Sequence, residues 1–207
     1  NPGHLSGAID SPGADKGSRF IQLCDAFDIP ILSLIDCPGI MVGPESEKTA
    51  LVRHASRMFV VGDSTSVKAK KLIEITYISM MEGIKKIKQG ITLGDIGYVI
   101  EKLATQNNFS VVKDFCGHGI GKNFHEAPSV LHYGSQGEGL KLKEGMIFTI
   151  EPMLNVGTNE IKILGDGWTA ITKDRKLSAQ FEHTIGVTKN GYEIFTLSPK
   201  NFQKPPY

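Results

Sequence analysis

From residue 64 onward the sequence carries two amphipathic helical patterns, and their order before a β-rich region constrains the fold more than any other feature. Hydroxyl side chains at residues 64–66 can cap a first helix, which ends before Gly90. Thr92, with Asp95 three residues later, begins a second helix that ends near Asn107. The predicted buried faces are Ile73, Tyr77, Met80, Met81, Ile84 and Ile87 in the first helix, and Ile96, Val99, Ile100 and Leu103 in the second.

β-rich runs follow the two helical patterns and are separated by Gly, Asn, Asp and Lys turns. They are residues 110–112, 146–150, 168–172 and 182–187. We therefore predict an α+β unit in which two helices pack on a mostly antiparallel sheet.

The choice of basic residue changes abruptly near residue 62. Residues 1–61 hold 5 basic residues, three of them Arg, and 7 acidic ones. The rest of the chain holds 18 basic residues, of which only Arg175 is Arg, and 15 acidic ones. Because Lys and Arg can replace each other on many solvated surfaces, so sharp a shift indicates two joined segments. We predict two domains, residues 1–61 and residues 62–207.

The first segment has a secondary-structure pattern of its own. Apolar residues at helical spacing predict a helix over residues 14–27, and an aliphatic run at residues 31–35 predicts a buried strand. A second helix is predicted over residues 45–59. This order indicates α/β layering.

Bulk properties exclude several classes of partner. A net charge of +1 gives no electrostatic reason to expect nucleic acid or an anionic membrane. No apolar run approaches the roughly 20 residues that span a bilayer. The three cysteines cannot all pair and none lies in a Cys-x-x-Cys arrangement, so we expect free thiols and a cytoplasmic protein.

The candidate chemical residues are His118, His125, Glu151 and Glu182. Taken alone, a histidine among glycines is more often a loop residue that makes one hydrogen bond. Glu151 and Glu182 lie at β-rich runs that can carry them inward, where an unpaired carboxylate is costly. One histidine and two carboxylates on adjacent strands form a mixed nitrogen and oxygen set suited to Mn, Fe, Co or Zn, and a bridging carboxylate can hold two such ions.

Five runs in the later segment form a recognisable set. They are DFCGHGIG at residues 114–121, FHE at 124–126, TIEPM at 149–153, DGWT at 166–169 and LSAQFEHT at 177–184. Together these runs closely resemble type I methionine aminopeptidases. The resemblance covers about 145 residues, and separations of 33 residues from His118 to Glu151 and 31 from Glu151 to Glu182 fit it without gaps. It implies the carboxyl-terminal half of the pita-bread fold of creatinases and aminopeptidases.

The resemblance also implies roles for individual residues. His118, Glu151 and Glu182 would be ligands of divalent metal ions, of which the family binds two. His125 would contact the substrate and its tetrahedral intermediate, and Glu151 would act as general base.

The implied activity is metal-dependent removal of the N-terminal methionine from nascent polypeptides, whose N-termini would be the partners. Phe124 and Trp168 would form walls of an apolar pocket. Such a pocket admits an unbranched thioether side chain and so selects methionine.

Residues 1–61 contain a different set of runs. They are GAID at 7–10, ADKGSRF at 14–20, CDAF at 24–27, IDCPGI at 35–40 and VRHA at 52–55. These runs resemble the carboxyltransferase subunit of biotin-dependent acyl-CoA carboxylases. It implies a crotonase-like α/β fragment in front of the aminopeptidase-like domain. About 60 residues are a small part of such a subunit, so acyl-CoA carboxyltransferase activity is the least favoured function.

The family's amino-terminal half supplies two further Asp ligands and another active-site histidine, and those motifs are absent from this sequence. In the register of the aminopeptidase strand, His54 stands at the second Asp position and Gly43 at the first. An imidazole can bind the same metals but cannot bridge two ions as a carboxylate does. Asp36, Glu45 or Glu47 could approach the site only if the first segment folded over the cleft.

Two functions therefore stay open. The chain is either a methionine aminopeptidase or a catalytically silent domain, chimeric or truncated, whose incomplete metal site holds one ion or none. Half of a pita-bread fold also exposes an apolar sheet face, so we predict that residues 1–61 cover that face or that the chain forms a homodimer.

Overall fold

The computed structural model describes residues 65–167 and 169–197, together with Lys16, Arg19, Phe20 and Leu23. Contacts between residues divide the chain into two units, residues 1–65 with Tyr207 and residues 66–206. Lys16, Arg19, Phe20 and Leu23 of the first unit are helical, in agreement with the helix predicted over residues 14–27. The strand and the second helix predicted for the first segment lie outside the described residues.

Both helices predicted for the later segment are present. Helix α1 (Val67–Ile84) begins after Ser66, whose side-chain oxygen accepts a hydrogen bond from a backbone N–H of the first turn. Helix α2 (Leu93–Gln106) begins after Thr92 with a complete capping box, because Thr92 and Asp95 each accept a hydrogen bond from the other's backbone. The backbone hydrogen bond from Thr92 lowers the pKa of Asp95.

Among the described residues, no helix combines the length and the apolar character needed to cross a membrane.

The buried face of α1 differs from the predicted one. Thr76 and Ser79 are fully buried, and their hydroxyls donate to backbone carbonyls about one turn earlier in the helix. Ile73 and Tyr77, which were predicted to be part of the face, are only half-buried. Apolar spacing alone could not indicate this face, because it counts a hydroxyl side chain as polar even when the helix itself satisfies the hydroxyl.

Ten strands follow the helices within the described residues. They are β1 (Ser110–Val111), β2 (Gly117–Gly119), β3 (Glu126–Val130), β4 (Ile147–Ile150), β5 (Met153–Asn155), β6 (Ile161–Ile163), β7 (Ala170–Thr172), β8 (Ser178–Gln180), β9 (His183–Thr188) and β10 (Gly191–Ile194). They form a five-stranded sheet of order β10-β9-β4-β2-β3, a three-stranded sheet of order β1-β5-β8 and the pair β6-β7. Every ladder is antiparallel, as predicted, but the strands are distributed over three sheets instead of one.

One cluster of buried apolar side chains joins the helices to the two larger sheets. It includes Ile100 of α2, Phe148 of β4, Leu154 of β5 and Ile185 of β9. Helix α1 contacts β5 and β8, and α2 contacts β1. The core therefore fixes β4 and β9, the two strands at whose ends the candidate carboxylates lie.

Candidate metal centre

Three of the predicted chemical residues converge at one end of the five-stranded sheet. His118 lies in β2, Glu151 directly follows β4 and Glu182 directly precedes β9, and these three strands are neighbours. One ligand atom from each side chain lies within 4.8 Å of the others. The register explains this, since Ile150 pairs with His183 and the next residue outward on each strand is a glutamate. Both glutamates thus lie one residue beyond their strands, whereas the β-rich run at residues 182–187 predicted Glu182 within a strand.

Glycines on both sides of His118 allow β2 to lie very close to its neighbours. A Cβ atom at Gly117 would lie 2.4 Å from the Thr149 carbonyl oxygen in β4. One at Gly119 would lie 2.2 Å from the Ala127 carbonyl oxygen in β3. Both distances are far inside van der Waals contact, so only glycine fits at these positions. The Gly-His-Gly sequence therefore brings the His118 backbone against both strands.

We expect Gly119→Ala to destabilise the fold around the metal centre. The added methyl group must displace the Ala127 backbone, and overpacking of this kind typically costs about 1–3 kcal/mol. Urea denaturation measures the free energy of unfolding. Gly165→Ala is the matched control, because nothing lies within 4 Å of a Cβ atom there. Equal free energies of unfolding for the two variants would contradict the role assigned to Gly119.

The His118 ring presents Nε2 to Glu151. The ring Nδ1 lies 3.1 Å from the Gly119 carbonyl oxygen, and Nε2 lies 3.7 Å from Glu151 Oε1. When Nδ1 carries the proton and donates to that carbonyl, the Nε2 lone pair is available to a ligand. The His118 backbone N–H donates to Thr149 Oγ1 at 2.9 Å, which fixes the main chain of the histidine against β4.

Two side chains orient the Glu151 carboxylate. Thr149 Oγ1 donates to Oε1 at 2.7 Å, and Gln180 Nε2 donates to Oε2 at 3.3 Å. Burial raises the pKa of Glu151, while the hydrogen bond from Thr149 and the proximity of His118 oppose the rise. Among the described residues, no Lys or Arg forms an ion pair with Glu151, and the His118 ring lies 3.7 Å from its Oε1 atom.

This donor set fits a divalent metal ion. One imidazole nitrogen and two carboxylates form the mixed set found in Mn, Fe, Co and Zn sites. A partly buried carboxylate such as Glu151, with no Lys or Arg partner in the described structure, favours a bound cation. The 3.7 Å between His118 Nε2 and Glu151 Oε1 is too long for a hydrogen bond and leaves room for an ion between the two atoms.

Two aromatic rings, those of Phe124 and His125, lie beside the ligand set. The His125 ring centroid lies 4.2 Å from that of His118, and the Phe124 centroid lies 5.3 Å from it. Burial lowers the pKa of His125, and the neighbouring His118 lowers it further, so the His125 imidazole is neutral at pH 7. A neutral imidazole can donate one hydrogen bond and accept another, which suits contact with a peptide substrate.

Several predicted site residues lie outside the described part of the chain. They are Trp168, His54, Gly43, Asp36, Glu45 and Glu47. The pocket wall assigned to Trp168 and the substitute ligand role of His54 stay predictions.

Three residues that support Glu151 were not predicted from the sequence. They are Thr149, Gln180 and His132. A signal for Thr149 exists, because side chains two residues apart on a strand point to the same face. His132 Nε2 accepts a hydrogen bond from the Glu151 N–H at 3.0 Å. No local sequence pattern predicts this contact, because the two residues are 19 positions apart. Burial lowers the pKa of His132 to about 3, so its ring is neutral at pH 7.

Known proteins match both parts of the chain. The family model of Metallopeptidase family M24 matches residues 51–189, and that of the Carboxyl transferase domain matches residues 1–66. The chain is 59% identical over 154 residues to Methionine aminopeptidase from Rickettsia prowazekii (strain Madrid E). This match covers 73% of this chain and 59% of the relative. It is 56% identical over 185 residues to Methionine aminopeptidase A from Synechocystis sp. (strain ATCC 27184 / PCC 6803 / Kazusa). That match covers 89% of this chain and 68% of the relative.

The structure gives the same family. The crystal structure of methionine aminopeptidase from Rickettsia prowazekii matches with a TM-score of 0.64 and 57% identity, over 66% of this chain and 55% of that chain. This chain spans 59% of the length of the Rickettsia prowazekii sequence and 68% of that of the Synechocystis sequence. The three candidate metal ligands His118, Glu151 and Glu182 fall inside the matched region. The described unit thus matches about half of a pita-bread fold, and the chain belongs to metallopeptidase family M24.

Proposed function

We propose that this chain removes the N-terminal methionine from nascent polypeptides by metal-dependent hydrolysis in the cytoplasm. The observation that carries the proposal is the convergence of His118, Glu151 and Glu182 in a domain similar to methionine aminopeptidases. These three residues are the proposed ligands of Mn, Fe, Co or Zn. An ion held by this set would act as a Lewis acid toward the scissile carbonyl and lower the pKa of a water molecule.

The chain's own side chains supply the proton transfer and the substrate contact. Glu151 accepts the proton of the attacking water, because one of its carboxylate oxygens lies among the three candidate ligand atoms. Thr149 and Gln180 hold the two carboxylate oxygens in place during the transfer. His125 binds the substrate through a hydrogen bond from its neutral imidazole.

The methionine pocket is proposed to have Phe124 and Trp168 as walls. The Phe124 ring lies 5.3 Å from the His118 ring and 4.5 Å from the His125 ring, so an apolar surface borders the ligand set. A narrow apolar pocket admits a flexible, unbranched side chain more readily than one branched at Cγ. This supports methionine as the residue that is released.

We further propose that residues 1–61 and residues 62–207 are separate domains, the first a crotonase-like fragment of an acyl-CoA carboxyltransferase. The Carboxyl transferase match over residues 1–66 supports this. The chain is also proposed to form a homodimer that covers the apolar sheet face.

A catalytically silent domain is the second candidate. The described residues bring together three ligand atoms, which suffice for one ion, whereas the aminopeptidase resemblance implies two. In this alternative the chain binds one ion and does not hydrolyse peptides.

Release of Met from a Met-Gly-Ser peptide by the full chain tests the proposal. The chain is loaded with Mn(II) or Co(II), and the free amino acid is measured by chromatography. We expect Met release, and release of Leu from Leu-Gly-Ser that is slower by about 10- to 100-fold, because side-chain shape in an apolar pocket discriminates by that amount. No Met release at any metal concentration would favour the silent domain, and equal release from both peptides would contradict the proposed pocket.

A further inference from the structure

The backbone N–H of Glu151 lies beyond the hydrogen-bonded ladders of the five-stranded sheet. Strand β4 ends at Ile150, which pairs with His183 in β9. On its other side, β4 pairs with β2 only at Phe148. A buried N–H needs an acceptor, so this donor requires one from outside the sheet.

The imidazole of His132 is that acceptor. The Glu151 N–H donates to His132 Nε2 at 3.0 Å, and His132 is 2% exposed. Because Nε2 accepts, the ring must carry its proton on Nδ1. The geometry therefore selects one tautomer of a buried histidine, 19 residues away from the glutamate that it contacts.

Close backbone packing holds the segment that carries His132. At Gly97 of α2, a Cβ atom would lie 2.4 Å from the Tyr133 carbonyl oxygen and 2.8 Å from that of Leu131. The residues on both sides of His132 thus press directly on the helix, which only a glycine permits. Lys113 Nζ also lies 4.7 Å from the centre of the Tyr133 ring. The acceptor is therefore held in place by α2.

We propose that His132 is a positioning residue for the metal centre, which acts by holding the Glu151 backbone so that its carboxylate faces His118 and Glu182. Thr149 and Gln180 orient the carboxylate itself, whereas His132 orients the main chain from which the carboxylate extends. The inference rests on the proposed function, since it takes Glu151 as a metal ligand. Outer partners of this kind typically change metal affinity by about 10- to 100-fold.

A Co(II) titration of the full chain, followed by visible absorption, tests the proposal with three variants. His132→Leu removes the acceptor, His132→Gln places an amide oxygen near the position of Nε2, and His132→Asn places one near Nδ1. We expect His132→Leu and His132→Asn to bind Co(II) about 10- to 100-fold more weakly, and His132→Gln to bind it nearly as tightly as the parent. If His132→Leu does not fold, the comparison of Gln with Asn carries the test.

A control separates positioning from general stability. Ile100→Val removes one methylene from a fully buried side chain of α2 and typically costs about 0.5–1.5 kcal/mol. It should leave Co(II) affinity unchanged at a temperature where every variant is folded. Equal Co(II) affinity in the parent, His132→Asn and His132→Leu would overturn the proposal, as would an equal loss in Ile100→Val.

Nuclear magnetic resonance of the metal-free chain gives a second measurement. The nitrogen shifts of His132 should show the Nδ1–H tautomer, and the Glu151 amide should exchange with solvent slowly in the parent and rapidly in His132→Leu. The opposite tautomer, or rapid exchange in the parent, would overturn the hydrogen bond. A parent that binds no Co(II) would instead overturn the proposed metal centre, while the tautomer and the exchange rate still report on the contact.

Discussion

Glu182→Gln should abolish Met release from Met-Gly-Ser while the chain remains folded. The substitution keeps the size of the side chain and removes the negative charge of one of three ligand groups that lie within 4.8 Å of one another. Loss of an outer partner of a metal ligand typically costs about 10- to 100-fold, so loss of a ligand should lower release by more than about 100-fold. The measurement is the initial rate of Met release with saturating Mn(II) or Co(II).

Glu144→Gln is the matched control for this prediction. Glu144 is exposed and lies in the turn before β4, so the same chemical change is made away from the ligand set. Circular dichroism should show that both variants are folded. A rate for Glu182→Gln similar to that of Glu144→Gln would exclude Glu182 from the metal centre.

Phe148→Ala should cause the largest loss of stability among single substitutions in the five-stranded sheet. The side chain is 1% exposed and lies in β4, between β2, which holds His118, and β9, which Glu182 directly precedes. Truncation of a buried Phe typically costs about 3–5 kcal/mol, through lost burial and the cavity that remains. Urea denaturation of the parent and the variant measures the difference in free energy of unfolding.

Phe195→Ala provides the comparison for Phe148→Ala. Phe195 is 46% exposed, so the same truncation removes less buried surface and should cost much less. Because β4 precedes Glu151 directly, the Phe148 variant should also bind metal more weakly. Equal losses of stability in the two variants would mean that the core is not centred on β4.

The helices were predictable because their signals are local. Ser66 and the pair Thr92 and Asp95 lie next to the turns that they cap, so the sequence alone indicates where each helix begins. The buried face of α1 was not predictable in this way. Thr76 and Ser79 are buried because tertiary packing selects that face and the helix itself satisfies their hydroxyls.

Several strands were not predicted, because their sequences do not favour an extended conformation. Strand β2 (Gly117–Gly119) is Gly-His-Gly, a composition typical of a loop. It is extended because its two glycines let it lie against β3 and β4, a requirement set by residues far away in sequence. Such strands become recognisable only when their neighbours in the sheet are known.

The metal-ligand candidates were predictable, and their support was not. Glu151 follows one predicted β-rich run and Glu182 begins another, and neighbouring antiparallel strands bring such residues together at one end of a sheet. His132 lies outside all five sequence runs that carry the aminopeptidase resemblance. Its role depends on a single long-range hydrogen bond to the Glu151 backbone, and periodicity in the sequence carries no information about such a contact.

The most direct test of the metal centre is the number of divalent ions bound per chain. The full chain is equilibrated with Mn(II) or Co(II) and dialysed, and the ions are counted by mass spectrometry, with His118→Ala treated in parallel. We predict at least one ion per chain in the parent and its loss in His118→Ala, because that variant lacks the imidazole ligand. A parent that retains no ion, or a His118→Ala chain that retains as many as the parent, would contradict the assignment of His118, Glu151 and Glu182 as a metal-binding set.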